Sequence, residues 1–168
     1  MQQAQFDAEK LVNQLASQLS QYIRDKQITS PAMVGIHSGG VWVASKLHKA
    51  LNLEQPLGQL DITFYRDDFS QKGLHPEVKP SSLPFEVDGQ DILLVDDVLH
   101  TGRTIRAAMN ELFDYGRPAS IHLIVLVERS GRELPIEANI YGHNLTLAPG
   151  QHIKLSGPDP LALELLED

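Results

Sequence analysis

The stretch from Ile92 to Thr104 constrains the fold of this chain more than any other part of the sequence. It begins with four successive apolar residues, a pattern typical of a parallel strand that is covered on both faces. Two acids, Asp96 and Asp97, follow at once, and then comes a turn that contains glycine. A helical pattern continues from there to Tyr115. The stretch therefore predicts a strand, a polar turn and a helix, as in an open α/β sheet.

The remainder of the chain shows the same alternation of strands and helices. Short apolar or β-branched runs predict strands, and apolar residues repeated every three or four positions predict helices. The predicted helices are Phe6–Ile23, Val41–Leu51 and Thr104–Tyr115, and the predicted strands are Met33–Ile36, Leu57–Arg66, Ile92–Val95 and Ile121–Val127. After Val127 we predict two short strands, Ile136–Tyr141 and His152–Leu155, and a terminal helical turn over Leu161–Glu167. Residues 1–168 are thus predicted to form a single α/β domain with a mainly parallel sheet flanked by helices.

A long polar segment separates the strand that ends at Arg66 from the strand that begins at Ile92. Residues 67–90 contain Pro76, Pro80 and Pro84 and show neither helical nor strand periodicity. A loop of this length inside a compact domain is usually either disordered or functional. We therefore expect a flexible loop that takes part in function.

The composition excludes several classes of protein and of site. The sequence has no cysteine, so it forms neither disulfides nor thiolate metal sites. Its seven histidines are not closely paired, and we expect no transition-metal site. No apolar run is long enough to span a bilayer and the first residues lack a signal-peptide pattern, so we expect a cytoplasmic protein without membrane contact. The net charge of −8 opposes non-specific attraction to nucleic acid, although a local basic patch stays open.

The turn after the two acids has the residues of a phosphate site. Thr101, Gly102 and Thr104 lie where the predicted helix begins, and a helix amino terminus offers unpaired N–H groups and the positive end of a dipole. Asp96 and Asp97 repel a phosphate, so they must serve a neutral or cationic group, such as ribose hydroxyls or Mg²⁺. The alternative is an Asp-Asp pair that only caps the turn.

The whole stretch from Ile92 to Thr104 resembles the motif by which type I phosphoribosyltransferases bind phosphoribosyl pyrophosphate (PRPP). Three further segments resemble the PyrR family in order and spacing: Leu60–Asp68, Gly116–Ser120 and Glu133–Ile136. The resemblance implies a type I phosphoribosyltransferase fold, an α/β domain with a small hood and a flexible loop. It also implies uracil phosphoribosyltransferase activity, in which uracil and PRPP give UMP and pyrophosphate with Mg²⁺ as the cofactor. Some members of the family also bind the leader of the pyrimidine-operon mRNA and cause attenuation.

The family motifs assign candidate site residues in this chain. The motifs assign binding of the ribose hydroxyls and Mg²⁺ to Asp96 and Asp97. They assign binding of the 5′-phosphate to His100, Thr101, Gly102, Arg103 and Thr104. The pyrophosphate loop is His37, Ser38, Gly39 and Gly40, without the arginine that the family often has there. The flexible loop provides Arg66, Asp67 and Asp68, and Lys72 is a further candidate contact for pyrophosphate. Three of these residues have a plain alternative, because His100 fits a neutral loop position, and Arg66 and Lys72 fit charges that only solvate a loop.

The resemblance also places a small hood over the base. It implies that the chain after Val127 builds this hood, including Glu128–Leu134 and Asn139–His143. Arg132 is the candidate contact for the base or for a phosphate. Trp42, on the helix that follows the pyrophosphate loop, is predicted to be a core residue rather than a ligand.

Alternatives to this function stay open on the sequence alone. One is a uridine-nucleotide-sensing, RNA-binding attenuator with little or no catalysis, which requires a basic surface. The one candidate cluster for RNA is Arg129 and Arg132, with Arg117 near them. Another is the same reaction with hypoxanthine, guanine or orotate. Type I relatives usually dimerise, so we expect a homodimer or a higher homo-oligomer.

Overall fold

The computed structural model describes residues 6–62 and 81–168. The helices in these ranges are α1 (Ala8–Asp25), α2 (Gly39–Leu51) and α3 (Arg103–Tyr115). The strands are β1 (Ala32–Ile36), β2 (Gly58–Leu60), β3 (Asp91–Leu99), β4 (Ser120–Arg129), β5 (Ile140–Leu145), β6 (Gln151–Ser156) and β7 (Ala162–Glu167). Within the described ranges, no helix combines the length and the apolar character needed to cross a membrane.

Five of the strands form one parallel sheet in the order β2-β1-β3-β4-β5, with β3 at its centre. Strands β6 and β7 pair with each other as an antiparallel hairpin. The prediction of a mainly parallel sheet is therefore confirmed. Because the five strands run the same way, their carboxyl ends meet at one edge, where open α/β sheets bind ligands.

The core explains why β3 is apolar on successive residues. Leu93 and Val95 belong to the apolar cluster on the face covered by α1 and α2. Ile92 and Leu94 belong to the cluster on the opposite face, which is covered by α3. All four side chains are 0% exposed, and burying each contributes about 1.5–3 kcal/mol. Because β3 is covered on both faces, neither face needs polar side chains, and the strand shows no alternation of apolar and polar residues.

Helix α1 follows the apolar spacing that predicted it. Asp7 caps its amino terminus by accepting a hydrogen bond from the Lys10 amide at 3.1 Å. Val12, Leu15 and Leu19 recur at helical spacing and are buried against the sheet. Trp42 of α2 packs against the same cluster, which confirms the prediction that it is a core residue.

The carboxyl-terminal residues form a strand, so the predicted helical turn over Leu161–Glu167 is wrong. Strand β7 pairs with β6, with Leu163 opposite Leu155. Leu163 is buried beside Phe6 in the cluster that α1 and α2 share. Good helix formers fill this segment, but leucines at alternate positions bury one side of a hairpin, and this packing outweighs the helical propensity.

Strand β5 also corrects the boundaries that we expected after β4. It begins at Ile140 rather than Ile136 and pairs with β4 in parallel, with Ile140 opposite Ile124. The predicted hood segment Asn139–His143 therefore lies at the edge of the main sheet. Its first residue fixes the entry to β5, since the Asn139 side chain accepts a hydrogen bond from the Leu123 amide. Strand β2 is shorter than the predicted Leu57–Arg66, and residues 63–66 lie outside the described ranges.

A chain of hydrogen bonds ties α1 to the amino-terminal edge of the sheet. Ser120 Oγ donates to Asp91 Oδ1 at 2.6 Å, so it accepts from His122 Nε2 at 2.9 Å. Nδ1 of His122 is then an acceptor, and it receives the Tyr22 hydroxyl at 2.6 Å. These donor and acceptor assignments hold only when the imidazole is neutral, with Nε2 as its donor and Nδ1 as its acceptor.

We expect this chain to make stability fall in mild acid. Burial lowers the pKa of His122, and Lys26 lowers it further, while Asp91 opposes both effects. The unfolded state therefore binds the proton more readily, so the free energy of unfolding decreases as pH falls below about 6.5, the ordinary histidine value. The midpoint of thermal unfolding should drop more between about pH 7.5 and pH 5.5 in the natural sequence than in His122→Gln. Parallel pH profiles for the two proteins would contradict this role of His122.

Candidate functional site

The two acids lie at the carboxyl-terminal part of β3, the central strand. Asp96 is 3% exposed and Asp97 is half-buried. Oδ1 of Asp96 accepts from the Asp97 amide, and Oδ1 of Asp97 accepts from the Val98 amide, both at 2.8 Å. These bonds fix the direction of each carboxylate, so the acids are held in place before any ligand arrives.

The turn that leads into α2 packs directly on the acids. A Cβ atom on Gly39 would lie 2.3 Å from Oδ2 of Asp97, and one on Gly40 would lie 2.7 Å from the Val95 carbonyl oxygen and 3.1 Å from Oδ1 of Asp96. No side chain fits at either position without displacing its neighbour. The structure thus brings together the two motifs that we predicted to hold pyrophosphate and ribose.

Strand β2 holds His37, the first residue of the predicted pyrophosphate loop. The His37 amide donates to the Leu60 carbonyl at 2.9 Å, and its Nε2 donates to Gln59 Oε1 at 2.8 Å. The peptide bond between His37 and Ser38 is cis. Ser38 makes no side-chain cap on α2, so the first amides of this helix are available near the turn. Backbone donors therefore stand where the family often has an arginine.

The predicted 5′-phosphate loop lies at the amino terminus of α3. Gly102 has a φ of 96°, a conformation that favours glycine, and its backbone packs on Leu134 and Ile136. The Thr101 hydroxyl accepts from the Arg103 amide at 3.1 Å. Thr104 follows in the first turn of the helix. The loop therefore presents helix amides and hydroxyls at the same edge as the acid pair.

Arg132 contacts the backbone of this loop. Its Nη2 donates to Glu128 Oε1 at 2.8 Å, and its Nη1 donates to the His100 carbonyl. The guanidinium predicted to contact the base or a phosphate is thus engaged with the protein itself. Arg103 also has an internal partner, since its Nε lies 3.0 Å from Glu133 Oε1.

The His100 side chain is exposed and stands against the backbone of Gly131. Partial burial lowers its pKa, and the positive charges of Arg129 and Arg132 lower it further, whereas Glu133 acts in the opposite direction. These effects disfavour the cationic form of the imidazole. His100 contributes its carbonyl to the loop through Arg132.

The outcome differs for two further sets of predicted residues. Arg66, Asp67, Asp68 and Lys72 lie outside the described residues. Arg117 precedes β4 and its amide donates to Asp88, whereas Arg129 ends β4. A strand of ten residues spans roughly 30 Å, so the expected cluster of Arg117 with Arg129 and Arg132 is wrong.

Comparisons with known proteins agree with this geometry. The phosphoribosyl transferase domain family matches residues 2–154. The bifunctional protein PyrR of Pseudomonas savastanoi pv. phaseolicola is 58% identical over 159 residues, covering 95% of this chain and 94% of that protein. The bifunctional protein PyrR of Nitrosococcus oceani is 54% identical over 166 residues, with 98% and 94% covered. This chain belongs to the PyrR family.

Solved structures support the fold of this PyrR family member. The hypoxanthine phosphoribosyltransferase of Trypanosoma cruzi superposes with a TM-score of 0.68, at 17% identity, over 95% of this chain and 91% of that one. A hypoxanthine phosphoribosyltransferase from Staphylococcus aureus gives 0.65 at 19% identity, over 90% and 80%. The type I phosphoribosyltransferase fold is confirmed. At these identities the likeness concerns the fold and says nothing about the base.

The acid pair of this PyrR family member suits the expected Mg²⁺. Mg²⁺ prefers oxygen ligands and is usually held by one or two carboxylates together with substrate phosphates. Asp96 and Asp97 supply such oxygens beside the Gly39–Gly40 turn. Among residues 6–62 and 81–168, no three histidine or acidic side chains are grouped to hold a metal. The donor set fits a cation that the protein and its substrate bind jointly.

Sequence reasoning missed one buried residue of this PyrR family site. Glu128, 9% exposed, joins Arg132 to Asn144, whose Nδ2 donates to Glu128 Oε2 at 3.2 Å. We had placed Glu128 only within a hood segment. The signal was present, because an acid that closes an apolar strand must be paired when it is buried.

Proposed function

We propose that this chain is a uracil phosphoribosyltransferase that converts uracil and PRPP into UMP and pyrophosphate. The observation that carries the proposal is the packing of the Gly39–Gly40 turn on Asp96 and Asp97 at the edge where α3 begins. A phosphate site, a pair of carboxylates and a second turn with backbone donors lie side by side. PRPP has a phosphate, two ribose hydroxyls and a pyrophosphate in the same order.

Each part of the site has a task in this reaction. The amides and hydroxyls of Thr101–Thr104 bind the 5′-phosphate, and Asp96 and Asp97 accept hydrogen bonds from the ribose hydroxyls. The amides near Gly39 and Gly40 bind the pyrophosphate. Uracil N1 attacks the anomeric carbon while the bond from that carbon to pyrophosphate breaks, and the released pyrophosphate takes up the N1 proton. Bound Mg²⁺ supplies positive charge that stabilises the departing pyrophosphate. Fixed orientation of both partners lowers the barrier further.

The base should be identified by direct assay. We expect purified protein with PRPP and Mg²⁺ to form UMP and pyrophosphate from uracil, and no nucleotide from orotate, hypoxanthine or guanine. Chromatography of the nucleotide product and a coupled pyrophosphate assay measure both products independently. Omitting Mg²⁺ in the presence of a chelator should abolish the reaction, since the leaving group then keeps its full charge.

Two results would contradict the assignment. Nucleotide formation from a purine base or orotate, but not from uracil, would keep the PRPP site and change the substrate. Binding of UMP without turnover of any base would favour a nucleotide sensor. Denatured protein and a reaction without PRPP serve as controls.

The other expectations stay predictions. Binding of the pyrimidine-operon mRNA leader is the second role that the family implies, and Arg129 and Arg132 stand apart from Arg117 rather than forming one patch with it. We also propose a homodimer or higher homo-oligomer and a cytoplasmic location. The assignment of Arg66, Asp67 and Asp68 to the flexible loop, and of Arg66 and Lys72 to pyrophosphate contacts, rests on the motif alone.

A further inference from the structure

The loop that we assign to the 5′-phosphate has its carbonyl groups bound from one side. The His100 carbonyl accepts from Arg132 Nη1. The next carbonyl, that of Thr101, accepts from the amides of Glu133 and Leu134 at 2.9 and 3.0 Å. Both acceptors are therefore engaged by the segment that follows β4.

This arrangement determines the direction of the amides. In a planar trans peptide the C=O and the following N–H point in opposite directions. The carbonyls of residues 100 and 101 point at the segment 129–134, so the amides of Thr101 and Gly102 point away from it. An arginine that holds the His100 carbonyl thus orients donors that it does not touch.

Arg132 itself is held by a buried acid. The Glu128 side chain is 12% exposed, and its two oxygens accept from Arg132 Nη2 at 2.8 Å and from Asn144 Nδ2 at 3.2 Å. Glu128 lies opposite Leu99 of β3 and opposite Asn144 of β5. The acid is therefore fixed by the sheet, and charge-assisted hydrogen bonds of this kind are short and directional.

We propose that Glu128 and Arg132 are positioning residues that set the geometry of the 5′-phosphate loop through the His100 carbonyl. This inference rests on the proposed function of the loop. It offers an alternative to the base or phosphate contact that the resemblance implies for Arg132, because the terminal nitrogens of this side chain make three hydrogen bonds to the protein itself. The pair acts on PRPP through the backbone and leaves uracil recognition to other groups.

Separate measurements of the KM for PRPP and of the KM for uracil test this proposal. Arg132→Met keeps the length of the side chain and removes its donors. We expect the KM for PRPP to rise about tenfold, kcat to change by less than about threefold, and the KM for uracil at saturating PRPP to stay within about twofold. Glu128→Gln should give a smaller rise of the same kind, since the neutral amide holds the guanidinium less firmly.

A double variant tests whether the two residues act along one path. Glu128→Gln/Arg132→Met should resemble Arg132→Met alone in its KM for PRPP, because the acid has nothing left to orient. The matched control is Lys46→Met, which breaks an ion pair between Lys46 and Glu9 of α1, at 3.4 Å. Lys46→Met loses an ion pair between α2 and α1, but its KM for PRPP should equal that of the natural sequence.

Other outcomes would overturn the inference. A normal KM for PRPP in a folded Arg132→Met protein would remove the positioning role, and a raised KM for uracil alone would restore the base contact. If Arg132→Met does not fold, Glu128→Gln decides by the same criteria. If the natural sequence forms no UMP, the proposed function fails separately. Titration calorimetry with UMP and uridine then decides, since the variants should lose affinity only for the phosphorylated ligand.

Discussion

Gly39→Ala should lower kcat/KM for UMP formation by about 10²–10³-fold while the protein stays folded. The new Cβ would meet Asp97 Oδ2 at 2.3 Å and its Cγ at 2.7 Å. The Asp97 carboxylate can move more easily than the backbone of the turn. It must therefore rotate away from the turn and lose its hydrogen bond to the Val98 amide. A misplaced carboxylate no longer meets the ribose hydroxyls, and displacements of about 1 Å reduce catalysis by about this amount.

Gly142→Ala is the matched control for this variant. Its Cβ would lie 2.7 Å from the Leu126 carbonyl oxygen, a backbone atom in the paired strand. This contact is also below 3.0 Å, but it involves the sheet and not the site. Gly142→Ala should lower the midpoint of thermal unfolding and leave kcat/KM unchanged. Equal losses of activity in both variants would show that Gly39 acts through general stability.

The Asp96→Asn/Asp97→Asn variant should lose UMP formation by about 10²–10⁴-fold. Each hydrogen bond to a charged carboxylate contributes about 1.5–3 kcal/mol, and the variant weakens the two bonds to the ribose hydroxyls. It also removes the negative charge that attracts Mg²⁺. Asparagine keeps the oxygen that accepts from the next backbone amide, so the strand should retain its local structure. Product formation under saturating uracil and PRPP measures the loss, and circular dichroism checks the fold.

Asp91→Asn provides the comparison on the same strand. Asp91 begins β3 at the opposite edge of the sheet and accepts a hydrogen bond from Ser120. Its replacement should alter stability through the Tyr22–His122 network and leave the kinetic constants unchanged. Activity retained in the double variant at the site would exclude the acids from catalysis, whatever Asp91→Asn does.

Much of the fold follows from local patterns that need no partner. The apolar run before Asp96 identifies a strand covered on both faces, because any exposed position would be polar. The glycine and hydroxyl residues at the start of α3 identify a helix amino terminus that suits the phosphate site we propose. Helix α1 follows from the spacing of its apolar residues. Such features depend on neighbours a few residues away, so a single sequence contains them.

The remaining errors came from contacts between distant segments. Leu161–Glu167 has helical propensity, yet pairing with β6 and burial of Leu163 make it a strand. Strand β5 begins at Ile140 rather than Ile136, because its pairing with β4 begins there. Arg117 and Arg129 flank the same strand, so its length separates them.

The residue types of the proposed site can be read from short segments of the sequence: two acids, a turn with glycine and hydroxyl residues, and a second glycine turn. Which of these segments contact each other depends on how the strands are ordered and packed. Strand order places Gly39 on Asp97, and the chain after β4 places Arg132 on the His100 carbonyl. Periodicity and capping are local, whereas the partner of a buried charge is whatever the packed strands bring within hydrogen-bonding distance.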